Sequence, residues 1–112
     1  MDLSDFSDKI LQEIKFYALK NKSSESCGLI IKKGGALFFL PCRNISDRPK
    51  IKFKINALTF IENEVVAVYH SHVYGGSKPS LYDKKIQSAL DVPFLIYSIS
   101  EDDFFLYKSE CN

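Results

Sequence analysis

Apolar residues recur at three- and four-residue spacing near the start of the chain, at Phe6, Ile10, Ile14, Tyr17 and Ala18. This pattern predicts an amphipathic helix over residues 3–20, with Ser4 as its N-cap and Asn21-Lys-Ser-Ser24 as its break. Two apolar runs follow at 27–31 and 36–42, joined by Lys32-Lys-Gly-Gly35, which is the pattern of a β-hairpin. Asp47-Arg-Pro49 marks a turn. Lys50-Ile-Lys-Phe-Lys54 alternates charged and apolar residues, so an edge strand is expected over 51–55 rather than a ligand-binding patch. A short helix is expected over 56–63. Residues 65–69 are uninterrupted, apolar and rich in β-branched side chains, as in a central strand. A loop at 73–79 leads into a helix over 80–90, with Ser80 as N-cap and Leu81, Ile86, Ala89 and Leu90 as its apolar face. A second hairpin is expected from 94–100 and 104–108. The order of elements predicts an α+β fold, with helices against a curved, mainly antiparallel sheet.

The chain has 112 residues, which fits a single domain spanning 1–112 with one core. Hydrophobic residues make up 46% and charged residues 26%, the balance of a folded globular chain. No apolar run approaches the length of a membrane-spanning helix, and the start of the chain is acidic where a secretory leader would be basic. A cytoplasmic protein is therefore expected. The formal net charge of +1 gives no basis for binding nucleic acid or a membrane surface through bulk charge. Three cysteines, Cys27, Cys42 and Cys111, form no C-x-x-C pair and make an odd count, which argues against a disulfide framework. Cys27 and Cys42 lie in apolar runs and read as small buried hydrophobes.

Chemistry concentrates after the central strand. The chain has only two histidines, His70 and His72, two residues apart. In a strand such residues share a face, so both imidazoles can point at one spot while Ser71 points the other way. Asp83 stands eleven residues after His72, in the first turn of the expected helix, where a strand–loop–helix turn can carry it back over the strand end. Two imidazoles and one carboxylate suit a tetrahedral zinc ion with one open position, in a positively charged site that lowers the pKa of a water toward about 7. Glu25, at the entrance of the first strand, is the candidate general base and acid. Ser80 is the candidate donor to a developing oxyanion. Ser80-x-x-Asp83 also spells a capping box, with Asp in the place of the usual Glu or Gln.

Glu25, then His70-Ser71-His72, seven residues, Ser80, two residues and Asp83 together resemble the signature of the JAMM metalloproteases, the catalytically competent MPN domains. Glu25-Ser-Cys-Gly-Leu-Ile30 is similar to the family's first glutamate and strand. Cys42-Arg-Asn-Ile45 followed by Pro49 and Phe53 is similar to its middle segment. The resemblance covers roughly residues 8–108. It implies an MPN/cytidine-deaminase-like α-β-α layout, zinc (Zn2+) held by His70, His72 and Asp83, Glu25 as general acid/base and Ser80 as oxyanion donor, with Ser71 in a supporting place. Many relatives have proline where this chain has Val73, so the loop is expected to be less fixed there. The compact length resembles the prokaryotic and phage branch, whose members include tail-assembly peptidases and enzymes acting on ubiquitin-like or sulfur-carrier proteins.

The resemblance implies a zinc-dependent peptidase or isopeptidase acting on a protein or peptide substrate. That substrate would be a ubiquitin-like or sulfur-carrier tail, or a phage tail protein, with a virion tail location if the chain is phage-encoded and a homodimer as one option. The competing reading is a non-enzymatic phage-tail or assembly module whose metal only stabilises the fold. A third reading, a Cys-His hydrolase using Cys27, requires a reactive thiol.

Overall fold

The stripe on the first helix forms, but later than its spacing suggests. In the computed structural model, which describes residues 1–109, α1 spans Asp8–Lys20 and its N-cap is Ser7, whose hydroxyl accepts from the Ile10 N–H. Ser4 is not the cap. It belongs to a separate 3-10 turn, Leu3–Asp5, in which the Asp2 carboxylate takes the Ser4 N–H. Phe6, Ile10, Ile14 and Ala18 are buried, as the three-and-four spacing requires.

Five strands follow the predicted order: β1 (Cys27–Lys33), β2 (Ala36–Cys42), β3 (Glu64–His72), β4 (Phe94–Ser98) and β5 (Asp103–Tyr107). They form one sheet in the order β2-β1-β3-β4-β5. Every pairing is antiparallel except β3 with β4, which is parallel. A parallel pair needs a crossover, and the helix α3 (Leu81–Leu90) supplies it. Gly34 and Gly35 both take positive φ, the demand of the two-residue turn that joins β1 to β2. The predicted α+β layout with a mainly antiparallel sheet is therefore the observed one.

Each sheet face has its own core. α1 covers one face, packing Ile10, Ile14 and Ala18 on Ile30, Ala67, Tyr69 and Leu95. On the other face Cys27, Leu29, Val68, Phe94 and Ile96 pack with Phe53. The short helix α2 (Ala57–Ile61), capped by Asn56, and α3 lie on this second side, with Phe60 and Ile86 against its core.

Two further expectations fail. Residues 51–55 are not a strand. Their polar backbone is satisfied locally, because Ile45 N–H donates to the Lys54 carbonyl and Asn44 bonds both the Lys52 carbonyl and the Lys54 N–H. The alternation arose because Phe53 plugs the core while Lys54 faces water. The face of α3 is also only partly as expected: of its predicted apolar positions, Ile86 alone packs on the core. Leu81 is 79% exposed and Ala89 is exposed, whereas Asp83 and Gln87 are buried. Gln87 holds the Val92 carbonyl and the Ser109 N–H, so its burial costs no lost hydrogen bond.

Candidate metal centre

β3 continues through both histidines, so the strand periodicity applies to them directly. His70 and His72 point to the Phe53 side of the sheet. Tyr69 points to the α1 side, where Ser71 also turns. The capping box of α3 aims Asp83 back at the strand end. Ser80 Oγ accepts from Asp83 N–H at 3.1 Å, and Asp83 Oδ2 accepts from Ser80 N–H at 3.0 Å. Asp83 Oδ2 then lies 2.9 Å from His72 Nε2, and Asp83 Oδ1 lies 3.2 Å from His70 Nε2. One ligand atom from each of the three residues lies within 4.8 Å of the others.

The rings are held from behind. Phe53 stacks on His70 with centroids 4.4 Å apart and planes 15° apart, and Phe94 meets the same ring edge-on at 5.5 Å. His72 Nδ1 donates to the Gly76 carbonyl at 2.8 Å, and Nε2 meets Asp83 Oδ2 at 2.9 Å, a contact that needs a proton or a cation between the two atoms. The loop that presents this carbonyl is itself tied down. Ser98 and Ser100 hydroxyls both donate to the Gly75 carbonyl, at 2.7 and 3.0 Å. The loop after His72 is thus fixed by side chains of the β4–β5 turn even without a proline at 73.

Glu25 sits on the same cleft, just before β1. Its backbone is fixed at both ends: its N–H donates to the Pro49 carbonyl at 2.7 Å, and its carbonyl accepts from Asn44 Nδ2 at 2.9 Å. Glu25, His72 and Ser80 line a cavity of about 350 Å³ together with Ile51, Tyr74 and Lys78. Ser71 lies on the far side of the strand and accepts from the Ser26 N–H at 2.8 Å. The Ser26 hydroxyl reaches Ser71 Oγ at 3.1 Å and Tyr69 OH at 2.5 Å, closing a buried hydroxyl cluster beneath Glu25.

The fit to a cation shows in what is left unpaired. Glu25 Oε1 and both ring nitrogens of His70 are buried without a hydrogen-bond partner among the described residues. His70 Nε2 is near Asp83 Oδ1, but the angle makes no hydrogen bond. Leaving such atoms bare costs about 1–3 kcal/mol each. Two imidazole nitrogens and a carboxylate oxygen are borderline and hard donors, with no thiolate among them, a set that suits zinc at a site retaining an open position.

Electrostatics separates the roles of Glu25, His70 and Asp83. Burial pushes Glu25 up to about 8, the charge of His72 opposes this and that of Asp83 adds to it. Burial also lowers His70, outweighing its attraction to Asp83, so that ring is neutral and ready to donate a lone pair. For Asp83, burial acts upward but is overcome by the two rings and the Ser80 N–H, which hold the carboxylate ionised well below its usual range.

All the sequence-predicted site residues except Ser71 meet at this cleft, and Ser71 supports it from the opposite face. Phe53, Gly76, Asn44, Ser26 and Tyr69 were not singled out for these contacts. Phe53 lay within the recognised middle segment, but the Gly76 contact is made by backbone and leaves no side-chain signal. Cys27 is fully buried and its thiol is pushed up to about 12 by burial, the opposite of what a nucleophilic Cys-His hydrolase needs.

A model of the prokaryotic homologs of the JAB domain matches residues 7–108. The chain is 31% identical over 99 residues to tail tip assembly protein K of Escherichia phage N15, an alignment covering 85% of this chain and 41% of that protein. The chain therefore spans less than half the length of that curated relative. Its fold is similar to the solution structure of protein DSY2949 from Desulfitobacterium hafniense, with a TM-score of 0.70 and 24% identity, covering 92% of this chain and 83% of the other. Among the described residues no helix is long and apolar enough to cross a membrane.

Proposed function

The chain belongs to the family of prokaryotic JAB-domain homologs, and from that premise we propose that it is a zinc-dependent peptidase or isopeptidase, using His70, His72 and Asp83 as ligands and Glu25 as its acid/base. The observation that carries this reading is the convergence of the three ligand atoms within 4.8 Å beside a buried, unpartnered Glu25 carboxyl oxygen. A bound zinc ion supplies Lewis acidity toward a carbonyl and lowers the pKa of water.

The protein's own groups do the rest. Burial alone favours the neutral form of Glu25; beside a bound cation, which would favour its carboxylate, Glu25 takes a proton from the attacking water and returns it to the departing amine. Asp83 and the Gly76 carbonyl hold the His72 ring in one orientation. Ser80 uses its oxygen to cap α3, which leaves its hydroxyl proton available as a donor at the cleft. An extended substrate tail enters along Ile51, Tyr74 and Lys78. An apolar cavity of about 530 Å³, lined by Phe53, Phe60, Tyr82 and Ile86, adjoins the site through Phe53 and can take a substrate side chain.

The similarity to a phage tail tip assembly protein favours a second reading, a tail-assembly module in which the same metal only stabilises the domain. The test uses purified full chain with zinc counted per chain and a panel of peptide-linked and isopeptide-linked substrates. One zinc per chain, with cleavage that Glu25→Gln abolishes while the metal stays, supports the peptidase. One zinc per chain with no cleavage of any substrate, and phage-tail assembly unaffected by Glu25→Gln, supports the assembly module. Well under one zinc per chain after loading contradicts both.

A further inference from the structure

We propose that Cys27 and Cys42 form a redox-active pair that a small-molecule disulfide converts to a β1–β2 cross-strand disulfide, with Cys42 reacting first. This inference does not depend on the peptidase reading.

Register carries the argument. Cys27 and Cys42 are directly opposed in the antiparallel β1–β2 ladder. Lys33 and Ala36 close the Gly34-Gly35 turn as a hydrogen-bonded pair. Alternation along the ladder makes Gly28 and Pro41 a non-hydrogen-bonded pair, where the missing Pro41 N–H is harmless, and makes Cys27 and Cys42 hydrogen-bonded again. Opposed residues of that kind stand about 5.5 Å apart at Cα, inside the roughly 4.4–6.8 Å range of natural disulfides, and their Cβ atoms must draw together by about 1 Å to bond. Opposed side chains also share a sheet face, and Cys42 packs against the cluster that contains Cys27. The Cys27 thiol already lies against its partner, donating to the Cys42 carbonyl at 3.7 Å.

Access sets the order of events. Cys27 is fully buried, whereas Cys42 is half-buried and lines a surface cavity of about 360 Å³ with Arg43, Ile45 and Asn56. The Arg43 guanidinium there favours an anionic reagent such as oxidised glutathione. The Cys42 sulfur attacks one sulfur of that disulfide, breaking its S–S bond and releasing one glutathione thiol. The Cys27 sulfur then attacks Cys42 of the mixed disulfide and releases the second. The protein loses two protons and two electrons, and the reagent becomes two thiols. Burial pushes both cysteine thiols up, so the exchange is slow, on the scale of minutes to hours. Cys27 also opposes His70 across β1–β3, so the bridge would lock the edge strand β2 onto β1, the direct neighbour of the strand that carries His70 and His72.

The test uses the full chain carrying Cys111→Ser, which removes the third cysteine from the exchange. The reduced protein is incubated with oxidised glutathione, free thiols are alkylated under denaturing conditions, and intact mass and peptides are read by mass spectrometry. The expected product has lost the mass of two hydrogen atoms and contains a Cys27–Cys42 linked peptide, preceded by a glutathione adduct on Cys42. Adding Cys27→Ser should stop the reaction at that adduct. A stable Cys42 adduct with Cys27 still open to alkylation in the Cys111→Ser protein overturns the proposal. So does recovery of both cysteines unmodified after a day, or a first adduct on Cys27.

Discussion

Asn44 joins three parts of the site, and its removal gives a measurable cost. Its Nδ2 donates to the Glu25 and Lys52 carbonyls, both at 2.9 Å, while its Oδ1 accepts from the Ser46 and Lys54 N–H groups at 3.0 and 3.1 Å. At a net value of about 0.5–1.5 kcal/mol per bond, four bonds total about 2–6 kcal/mol. Lys54 is exposed and Ser46 half-buried, so their N–H groups regain water when the side chain is cut back. The carbonyl of the buried Glu25 keeps most of its penalty, and that of the half-buried Lys52 keeps part of it. Asn44→Ala should therefore lose about 2–4 kcal/mol, a large share of the roughly 5–15 kcal/mol typical of a domain. Urea unfolding of the zinc-free protein measures it directly. Asn44→Asp, which sets a carboxylate oxygen against the same two carbonyls, should be at least as destabilising as the alanine variant at neutral pH. The loss should also weaken zinc binding, because the segment that Asn44 braces carries Phe53 onto His70. An Asn44→Ala midpoint within about 0.5 kcal/mol of the parent would refute the idea that this side chain holds the bend.

Other outcomes follow from the same contacts. His72→Ala should lose zinc and turnover together, whereas Glu25→Gln should keep the metal and lose turnover, both read by metal analysis beside a cleavage assay. Zinc held at about a hundred times its dissociation constant should add about 2.7 kcal/mol to stability, removable by a chelator and restored by readdition; an unchanged melting temperature would deny a folded-state metal site. Acidification should release the ion, since both rings must be neutral to bind. Burial acts to lower His72, but Asp83, the Gly76 carbonyl and Glu25 together hold it above the ordinary 6.5. Affinity should thus fall as pH drops through that region, and a dye-competition affinity that stays flat from about pH 8 to about pH 6 would contradict this. Gly28→Ala should cost about 1–3 kcal/mol in urea unfolding, because its Cβ would come within 2.6 Å of the Leu40 carbonyl oxygen and 2.7 Å of the Phe39 ring.

The three candidate metal-holding residues were legible because each lies where a local rule applies. A period of two fixes His70 and His72 on one face, and a helix-start signature fixes Asp83. Glu25 was legible as a candidate from its place at the entrance of β1 and was strengthened by the family pattern, but nothing in one carboxylate beside an apolar run reports its burial. The segment 51–55 misled because a single buried anchor between lysines has the same alternation as a strand. What distinguishes them is whether the backbone bonds a neighbouring strand, and here it bonds Asn44 and Ile45. The face of α3 misled because spacing counts apolar residues, whereas two polar side chains with dedicated partners, Asp83 and Gln87, occupy the inside. The Gly76 carbonyl and the Ser26–Tyr69–Ser71 hydroxyls are contacts between distant or backbone groups, which no periodicity reports.

Because β3 presents imidazoles on one side and hydroxyls on the other, inserting or deleting a single residue between Ala67 and His72 would be ruinous rather than graded. Shifted by one place, Ser71 would stand where an imidazole now points at Asp83, and both rings would be driven into the space under α1. The irregularity that the β1–β3 ladder does contain falls between Ile30 and Ile31, at the end remote from the ligands. Length changes in this lineage should accordingly collect at that distant end and in the turns, and the stretch from Ala67 to His72 should hold a constant length however far its side chains drift.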